Sequence, residues 1–330
     1  MTRPPRVREA GAGRRAHPEP VFVLAPPRSF STITLALLSG HPQIYGFPEL
    51  LVFAGATVRD LIRGGTAKGY PPELHRGRLS GLYRAIADVH EGEQTPEAVN
   101  RAGEWLARRA DWPAPRVLAH LLKEVAPLVG AEKSPDTVAT DEMLARCLDH
   151  YPNARYLHLT RHPVTTQRSM HAQEPKLYTH RAVRLVGAAS SWYLAHSRIR
   201  DRLAALPAHQ WIRVRGEDLL RRPGTTLPAV LDWLGLDSGD AVIARMLQTE
   251  RWRFAGFGPS GDLYGGDRTF LTHARLRPVP DPGPVRFDPA WGLPEEMVRR
   301  MSRLAAELGY DVAEARRRQV VDQRLTPGGS

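Results

Sequence analysis

The chain has 330 residues, of which 42% are hydrophobic, so it can bury the core of one large α/β domain or two small ones. No run of eighteen apolar residues occurs, and the N-terminal segment lacks the apolar stretch of a signal peptide. These observations argue against export and membrane insertion and favour the cytoplasm. The single cysteine, Cys147, excludes an internal disulfide and lies in a helical pattern that favours a place in the core.

The formal net charge of +11 and the isoelectric point near 10.2 make nucleic-acid binding one interpretation. However, the basic residues are spread along the chain, and several lie in the termini, 1–19 and 319–330. Those termini are polar or rich in proline and glycine, and their composition predicts disorder. A basic cleft for a smaller polyanion also explains the charge, so we expect no nucleic-acid partner.

The first predicted element is a buried parallel strand at 21–24, which two consecutive prolines end. The apolar spacing that follows predicts a helix that stops at Gly40, with Ser29 or Ser31 as its N-cap. A turn of this kind directs free backbone N–H groups and the positive end of a helix dipole at one point, where Arg28 adds a planar cation. The segment therefore predicts a phosphate site, although Ser-x-Ser-Thr before a helix also occurs as a simple cap.

Two common nucleotide-binding loops are missing from the sequence. No G-x-x-x-x-G-K-[ST] occurs, so the lysine that reaches a terminal phosphate in Walker-type proteins is absent. No G-x-G-x-x-G follows the first strand either, which removes support for a Rossmann dinucleotide site. The first loop alone therefore does not identify the ligand.

A second segment of the chain is a strand predicted at 156–159, which ends at Arg161, with Pro163 opening the next helix. Ser169 lies eight positions after Arg161, about two turns along this helix. Ligands of open α/β sheets collect at the carboxyl ends of the strands. We therefore expect Arg161 and the first loop to belong to one site.

With these two segments the chain resembles the sulfotransferases that use 3′-phosphoadenosine 5′-phosphosulfate (PAPS). The segment PPRSFST is similar to that family's loop for the 5′-phosphosulfate. The stretch VRGEDLLRRPGTTLPAVLDWLGL, at 214–236, resembles its later strand, turn and helix, and YGGDRTFL, at 264–271, resembles the loop that closes over the nucleotide. The similarity keeps the family's order of motifs from about residue 21 to 271.

The resemblance implies an α/β fold with a central parallel sheet of about five strands, helices on both faces and a P-loop-like phosphate-binding turn. It implies PAPS as the donor and no metal. The sequence does not identify the acceptor: a small molecule that accepts the sulfuryl group at a hydroxyl or an amine is the class that we prefer, and a carbohydrate or a peptide tyrosine is the alternative. The residues that it implies for nucleotide binding are Arg28, Ser29, Phe30, Ser31 and Thr32 at the phosphosulfate, Arg161 and Ser169 at the 3′-phosphate, and Gly266, Asp267 and Arg268 in the late loop.

Phe30 departs from the family pattern, which usually has glycine at this position. An L side chain disfavours left-handed backbone, so the loop must either close with right-handed dihedral angles or hold a strained residue. Bacterial sulfotransferases with Arg-Ser-Phe in this loop are similar, and we interpret Phe30 as a trait of such a subfamily.

Sulfuryl transfer requires positioning, cations near the departing oxygen and a base for the acceptor proton. Glu49 resembles the catalytic glutamate of protein-tyrosine and related sulfotransferases, but it would also suit the N-terminus of a helix beginning near Leu50. His41 is the rival base, although His-Pro at a helix end favours a structural role. Lys133 in AEKSP resembles the family's lysine beside the sulfuryl group, where it would act with Arg28; otherwise it is a solvated surface charge.

Apolar spacing predicts one domain over 20–318, with an acceptor-side insertion at about 50–130. The predicted helices are 50–64, 79–91, 95–110, 115–129, 138–150, 163–172, 181–206, 224–235 and 293–309. A phosphotransferase with an atypical phosphate loop remains an alternative, and the missing Walker lysine and Mg²⁺ ligand argue against it.

Overall fold

The computed structural model describes residues 18–64, 77–173, 181–259 and 265–312. The tail predicted at 319–330, most of the tail predicted at 1–19, and Tyr264 of the late loop lie outside the described residues. The single-domain boundaries and the role of the insertion therefore stay predictions.

Five parallel strands form one sheet, in the spatial order β2-β3-β1-β4-β5. The strands are β1 (Val21–Leu24), β2 (Ile44–Gly46), β3 (Val129–Glu132), β4 (Arg155–Thr160) and β5 (Trp211–Arg215). Strand β1 is central, and its register pairs Phe22 with Glu132 on one side and Leu24 with His158 on the other. A strand enclosed on both faces reads as a continuous apolar run, which explains why VFVL is recognisable in the sequence.

Thirteen α-helices occur within the described ranges. They are α1 (Ser31–Ser39), α2 (Val58–Ile62), α3 (Ser80–Glu91), α4 (Pro96–Ala107), α5 (Pro115–Val125), α6 (Asp141–His150), α7 (Pro163–Gln173), α8 (Arg181–Leu203), α9 (Gly216–Arg221), α10 (Pro223–Leu234), α11 (Asp240–Met246), α12 (Arg268–Leu271) and α13 (Glu295–Glu307). The predicted α/β class with a central parallel sheet is confirmed. None of the described helices is long and apolar enough to cross a membrane.

Most buried apolar side chains form one cluster around the sheet. At its centre the ring of Phe22 lies 5.8 Å from that of Tyr156 and 5.2 Å from that of Tyr151. A second, smaller cluster joins α7 and α8 to the C-terminal helix α13 through Val164, Trp192 and Met301. This cluster holds the C-terminal part of the described chain against the helix that follows β4.

The helix predicted over 50–64 is largely wrong, because only Val58–Ile62 is helical. Thr57 caps this short helix in a capping box with Asp60, so the helix begins where its cap lies. The preceding segment is held in another conformation, in which Leu51 has a φ of 57°. The interpretation of Glu49 as the N-terminal carboxylate of a helix beginning near Leu50 is therefore wrong as well.

The helix predicted to reach residue 129 ends at Val125, and the chain enters β3 at Val129. The strand contains Gly130, Ala131 and Glu132, which have little of the β-branched character typical of strands. Its place between β2 and β1 comes from pairing with both neighbours rather than from local preference.

Candidate active site

Four neighbouring strands bring the predicted site residues to the carboxyl edge of the sheet. In spatial order, β2 leads to Glu49, β3 to Lys133, β1 to the loop that begins at Arg28, and β4 to Arg161. Parallel strands all end at the same edge, which is where open α/β sheets bind ligands. The topology thus places Glu49 and Lys133 on one side of the β1-α1 loop and Arg161 on the other.

The β1-α1 loop has left-handed backbone at two residues that are not glycine, since the φ angles of Arg28 and Phe30 are both 64°. Phe30 is the N-cap of α1 and makes no side-chain capping bond, so the predicted capping by Ser29 or Ser31 is wrong. The Oγ of buried Ser29 has no hydrogen-bond partner among the described residues. Because the first N–H groups of any helix lack intrahelical partners, the loop keeps several donors for an anion.

Arg28 joins three segments of the chain. Its Nε donates to Ser169 Oγ at 3.0 Å, and its Nη1 lies 2.6 Å from Asp267 Oδ1. Its backbone carbonyl accepts a hydrogen bond of 2.6 Å from Arg161 Nη1. Arg161 and Ser169, which the resemblance pairs at the 3′-phosphate, therefore both contact Arg28 at different atoms.

Arg161 is partly buried at the end of β4. Its Nε donates to Thr165 Oγ1 at 3.2 Å, and Trp192 Nε1 donates to its carbonyl at 2.9 Å. Desolvation lowers the pKa of Arg161 to about 10 against the opposing effect of Glu217, so the guanidinium remains charged at neutral pH. Within the described residues its Nη2 makes no hydrogen bond, which leaves donors for a ligand.

The late loop connects the β1-α1 loop with Glu49. Asp267 N donates to Thr32 Oγ1 at 3.0 Å, and Glu49 N donates to Gly265 O at 2.9 Å. Three consecutive residues of the late loop thus bind both the β1-α1 loop and the backbone at Glu49. Gly266 packs on Thr32, and the side chain of Asp267 caps the short helix α12, which Arg268 begins.

Two features of the backbone at position 265 require glycine. Its φ is 71°, and a Cβ at this position would lie 2.4 Å from the Cα of Gly81 in α3. The late loop is thus in backbone contact with α3 of the predicted insertion. This contact brings the insertion to the side of the site where Glu49 lies.

Glu49 and Lys133 form an ion pair between Glu49 Oε1 and Lys133 Nζ. The Lys133 side chain is 1% exposed and that of Glu49 is 22% exposed, so the lysine lies beneath the carboxylate. The interpretation of Lys133 as a solvated surface charge is therefore wrong. Among the described residues Glu49 Oε2 makes no hydrogen bond, so this oxygen keeps its capacity to accept one from a ligand.

Glu132 and Ser134, on either side of Lys133, hold the backbone that follows Glu49. Leu50 N donates to Glu132 Oε1 at 3.3 Å, and Leu51 N donates to Ser134 Oγ at 3.0 Å, while Ser134 Oγ in turn donates to Glu132 Oε1. The motifs of the sequence indicated no role for Glu132. A charged residue at the end of an otherwise small and apolar strand was the available signal.

Burial raises the pKa of Glu132 from its ordinary 4.5 to about 7, against the opposing hydrogen bonds from Ser134 and Leu50. A carboxyl whose pKa is higher in the folded state binds more protons there, so its contribution to stability is present at low pH and is lost as pH rises from about 4.5 to 7. We expect this loss to be on the order of 3 kcal/mol. Chemical denaturation of the wild type and of Glu132→Gln at pH 5 and pH 8 measures it.

Glutamine keeps an acceptor for Ser134 and Leu50 but does not ionise, so Glu132→Gln should gain stability relative to the wild type as pH rises. Glu104→Gln, at an exposed position of α4, is the matched control and should follow the wild type at both pH values. Equal pH dependence for Glu132→Gln and the wild type would show that Glu132 does not titrate in this range.

His41 has a structural role, as its sequence context indicated. Its Nε2 lies 3.0 Å from Asp237 O, and its Nδ1 accepts a 3.1 Å hydrogen bond from Gln43 N. Cys147 is buried in the core, as predicted. In the part of the chain that the structure describes, no three His, Cys, Asp or Glu side chains are grouped to hold a metal ion.

Comparison with known proteins gives one family and one fold. The model of the sulfotransferase family matches residues 20–240, a range that stops before the late loop. The sulfotransferase domain from the olefin synthase of Synechococcus PCC 7002 is similar, with 25% identity over 93% of this chain and 100% of that one, at a TM-score of 0.68. The sulfotransferase domain from the curacin biosynthetic pathway shares the fold, with 21% identity over 89% of this chain and 99% of that one, at a TM-score of 0.70. No curated protein matches the sequence.

Proposed function

The chain belongs to the sulfotransferase family, and from this we propose that it transfers the sulfuryl group of PAPS to a hydroxyl of a small molecule, with Glu49 as the base. The observation that carries the proposal is the arrangement at the carboxyl edge of the sheet. There, a donor-rich loop lies between the Glu49 and Lys133 pair on one side and Arg161 on the other.

The residues present fit a nucleotide with two separate phosphate positions. The buried Ser29 hydroxyl without a partner, the N-terminus of α1 and Arg28 supply donors and positive charge for the 5′-phosphosulfate. Arg161, together with Ser169, supplies them for the 3′-phosphate. Ser31, Thr32 and the late-loop residues 266–268 would enclose the nucleotide between these positions.

PAPS supplies an activated sulfuryl group when it is bound. Glu49 orients the acceptor hydroxyl and takes its proton at Oε2, the oxygen that the ion pair with Lys133 leaves unoccupied. Lys133 and Arg28 place positive charge where negative charge develops, a function that requires no movement of either cation during the reaction.

A small hydroxylated molecule, such as a biosynthetic intermediate, is the acceptor that we propose. The likeness to a sulfotransferase domain of an olefin synthase supports this class, because that domain belongs to a biosynthetic enzyme. The acceptor side is formed by Glu49 and the neighbouring helix α3, which meet through Gly265. A screen of phenolic and alcoholic acceptors for release of 3′-phosphoadenosine 5′-phosphate (PAP) from PAPS tests the proposal directly.

Arg161→Ala is expected to weaken PAP binding by about 1.5 to 3 kcal/mol, the scale of a hydrogen bond to a charged group. Binding of adenosine 5′-phosphate, which lacks the 3′-phosphate, should hardly change. Isothermal titration calorimetry of both nucleotides with both proteins measures the difference.

The matched control is Arg108→Ala, at the exposed C-cap of α4, where the arginine forms an ion pair with Glu104. Both affinities should stay near wild type. Equal losses for PAP and adenosine 5′-phosphate in Arg161→Ala would contradict the assignment of Arg161 to the 3′-phosphate. Wild-type protein that binds neither nucleotide would contradict the proposed function itself.

A further inference from the structure

Phe30 holds a backbone conformation that only glycine adopts without cost. Its φ is 64° and its ψ is 14°, in the left-handed region, where an L side chain costs about 1 to 2 kcal/mol. Such strain persists only where the surroundings impose it, and it clusters at functional sites. We therefore expect the contacts of the Phe30 ring to impose this conformation and to serve a function.

The ring lies between the ends of β4 and β5. A Cβ added to Gly216, the first residue of α9, would lie 2.6 Å from Phe30 Cδ2 and 3.2 Å from Thr160 O. Only a glycine leaves room for the ring at this point. Phe30 and Gly216 are thus sterically matched although 186 positions separate them in the sequence (216 − 30).

A face of the same ring supports Arg161. The Arg161 Cζ lies 4.0 Å from the centroid of the Phe30 ring, at stacking distance. An aromatic face beneath a guanidinium fixes the plane of that group and leaves its edge free to donate hydrogen bonds. Two of those donors, Nε and Nη1, already bind Thr165 and the carbonyl of Arg28.

We propose that Phe30 is a positioning residue, whose ring holds the Arg161 guanidinium in the plane in which its remaining donors bind the nucleotide 3′-phosphate. The inference rests on the proposed function and adds a source of selectivity to it. Preference for a nucleotide with a 3′-phosphate depends on a ring that does not itself touch the phosphate. This arrangement keeps the backbone of Phe30 in its strained, left-handed conformation.

The test is the ratio of the dissociation constants of adenosine 5′-phosphate and PAP, measured by calorimetry. Phe30→Leu keeps an apolar side chain beside Gly216 but has no aromatic face, and Phe30→Gly removes the side chain altogether. Both variants should lower the ratio about 3- to 30-fold, the scale of a cation–π contact. Phe30→Tyr keeps the ring and should retain the ratio within about twofold.

A second variant reaches the ring without altering Phe30 or Arg161. Gly216→Ala places a methyl group against Phe30 Cδ2 and should lower the same ratio. Gly224→Ala, in α10, is the matched control, because a Cβ there meets no atom within 4 Å, and it should leave the ratio unchanged.

The outcomes separate this inference from the proposed function. If the wild type prefers PAP and Phe30→Leu keeps the same ratio, the inference is wrong and the proposed function stands. If Phe30→Leu weakens both nucleotides equally, Phe30 has only a structural role and the inference is again wrong. If the wild type shows no preference for PAP, the proposed site fails, and the inference with it. Should Phe30→Gly not fold, the Leu and Tyr variants decide.

Discussion

Glu49→Gln is expected to lower the rate of sulfuryl transfer by about 10² to 10⁴, the range that a general base contributes. Glutamine has nearly the same shape and retains an oxygen for Lys133 Nζ, but it accepts no proton from the acceptor. The affinity for PAP should stay near wild type, since Glu49 and Arg161 follow strands on opposite sides of β1. The rate is measured as PAP release from PAPS with an acceptor found by screening.

Glu104→Gln is the control for this change as well, because the Glu104 side chain is exposed on α4 and pairs only with Arg108 among the described residues. If Glu49→Gln retains more than about a third of the wild-type rate, the base is another residue. His41 would then be a poor choice, because both of its ring nitrogens already have backbone partners. The search would move to the acceptor side, within 77–125.

Local sequence signals were sufficient for the parts of the site that follow β1 and β4. Strand β1 is apolar throughout, β4 contains the apolar Tyr156, Leu157 and Leu159, and a proline follows each strand within three residues. Both Arg28 and Arg161 could therefore be placed at the carboxyl edge. The order of the strands, however, follows from long-range pairing. No local pattern in Val129–Glu132 predicted a strand between β2 and β1.

The segment after Glu49 shows why the helix at 50–64 could not be excluded from the sequence. Its apolar spacing suits a helix, yet the N–H groups of Leu50 and Leu51 bind side chains that lie more than eighty positions later in the chain. Those bonds hold Leu51 at a φ of 57°, which no helix contains. Tertiary contacts therefore override the local preference and form the turn that presents Glu49.

For Phe30 the sequence left two backbone conformations of the loop open, and the structure shows which of them the loop adopts. The loop had to close either with ordinary dihedral angles or with a strained residue, and it closes with strain. The answer depends on Gly216 and Arg161, which the sequence places in motifs far from the loop. The long-range fit of the ring could not be predicted from the loop alone.

The burial of Lys133 differs from the exposure that its sequence context indicated. Flanked by Glu132 and Ser134, it resembled a surface charge, but its partner, Glu49, lies 84 positions earlier and the side chain is buried. A buried lysine is stable in its charged form only with such a partner. The two side chains therefore fix each other's position in the folded protein.

Lys133→Met replaces the lysine by an apolar side chain of similar length and should lower the rate of sulfuryl transfer about 10²- to 10³-fold, the cost of removing one preorganised charge from an active site. Lys123→Met, at an exposed position of α5, should have no such effect. PAP binding is expected to weaken less than the rate falls. Thermal unfolding of both variants shows whether the buried site tolerates methionine.

The double variant tests whether Lys133 acts through Glu49. Beside the departing oxygen the ammonium acts whether or not residue 49 ionises, so Lys133→Met added to Glu49→Gln should lower the rate by a further factor close to its effect in the wild type. A further loss of less than about fivefold would contradict this role and would mean that Lys133 acts only by orienting the Glu49 carboxylate. In that case Arg28 alone would stabilise the departing oxygen.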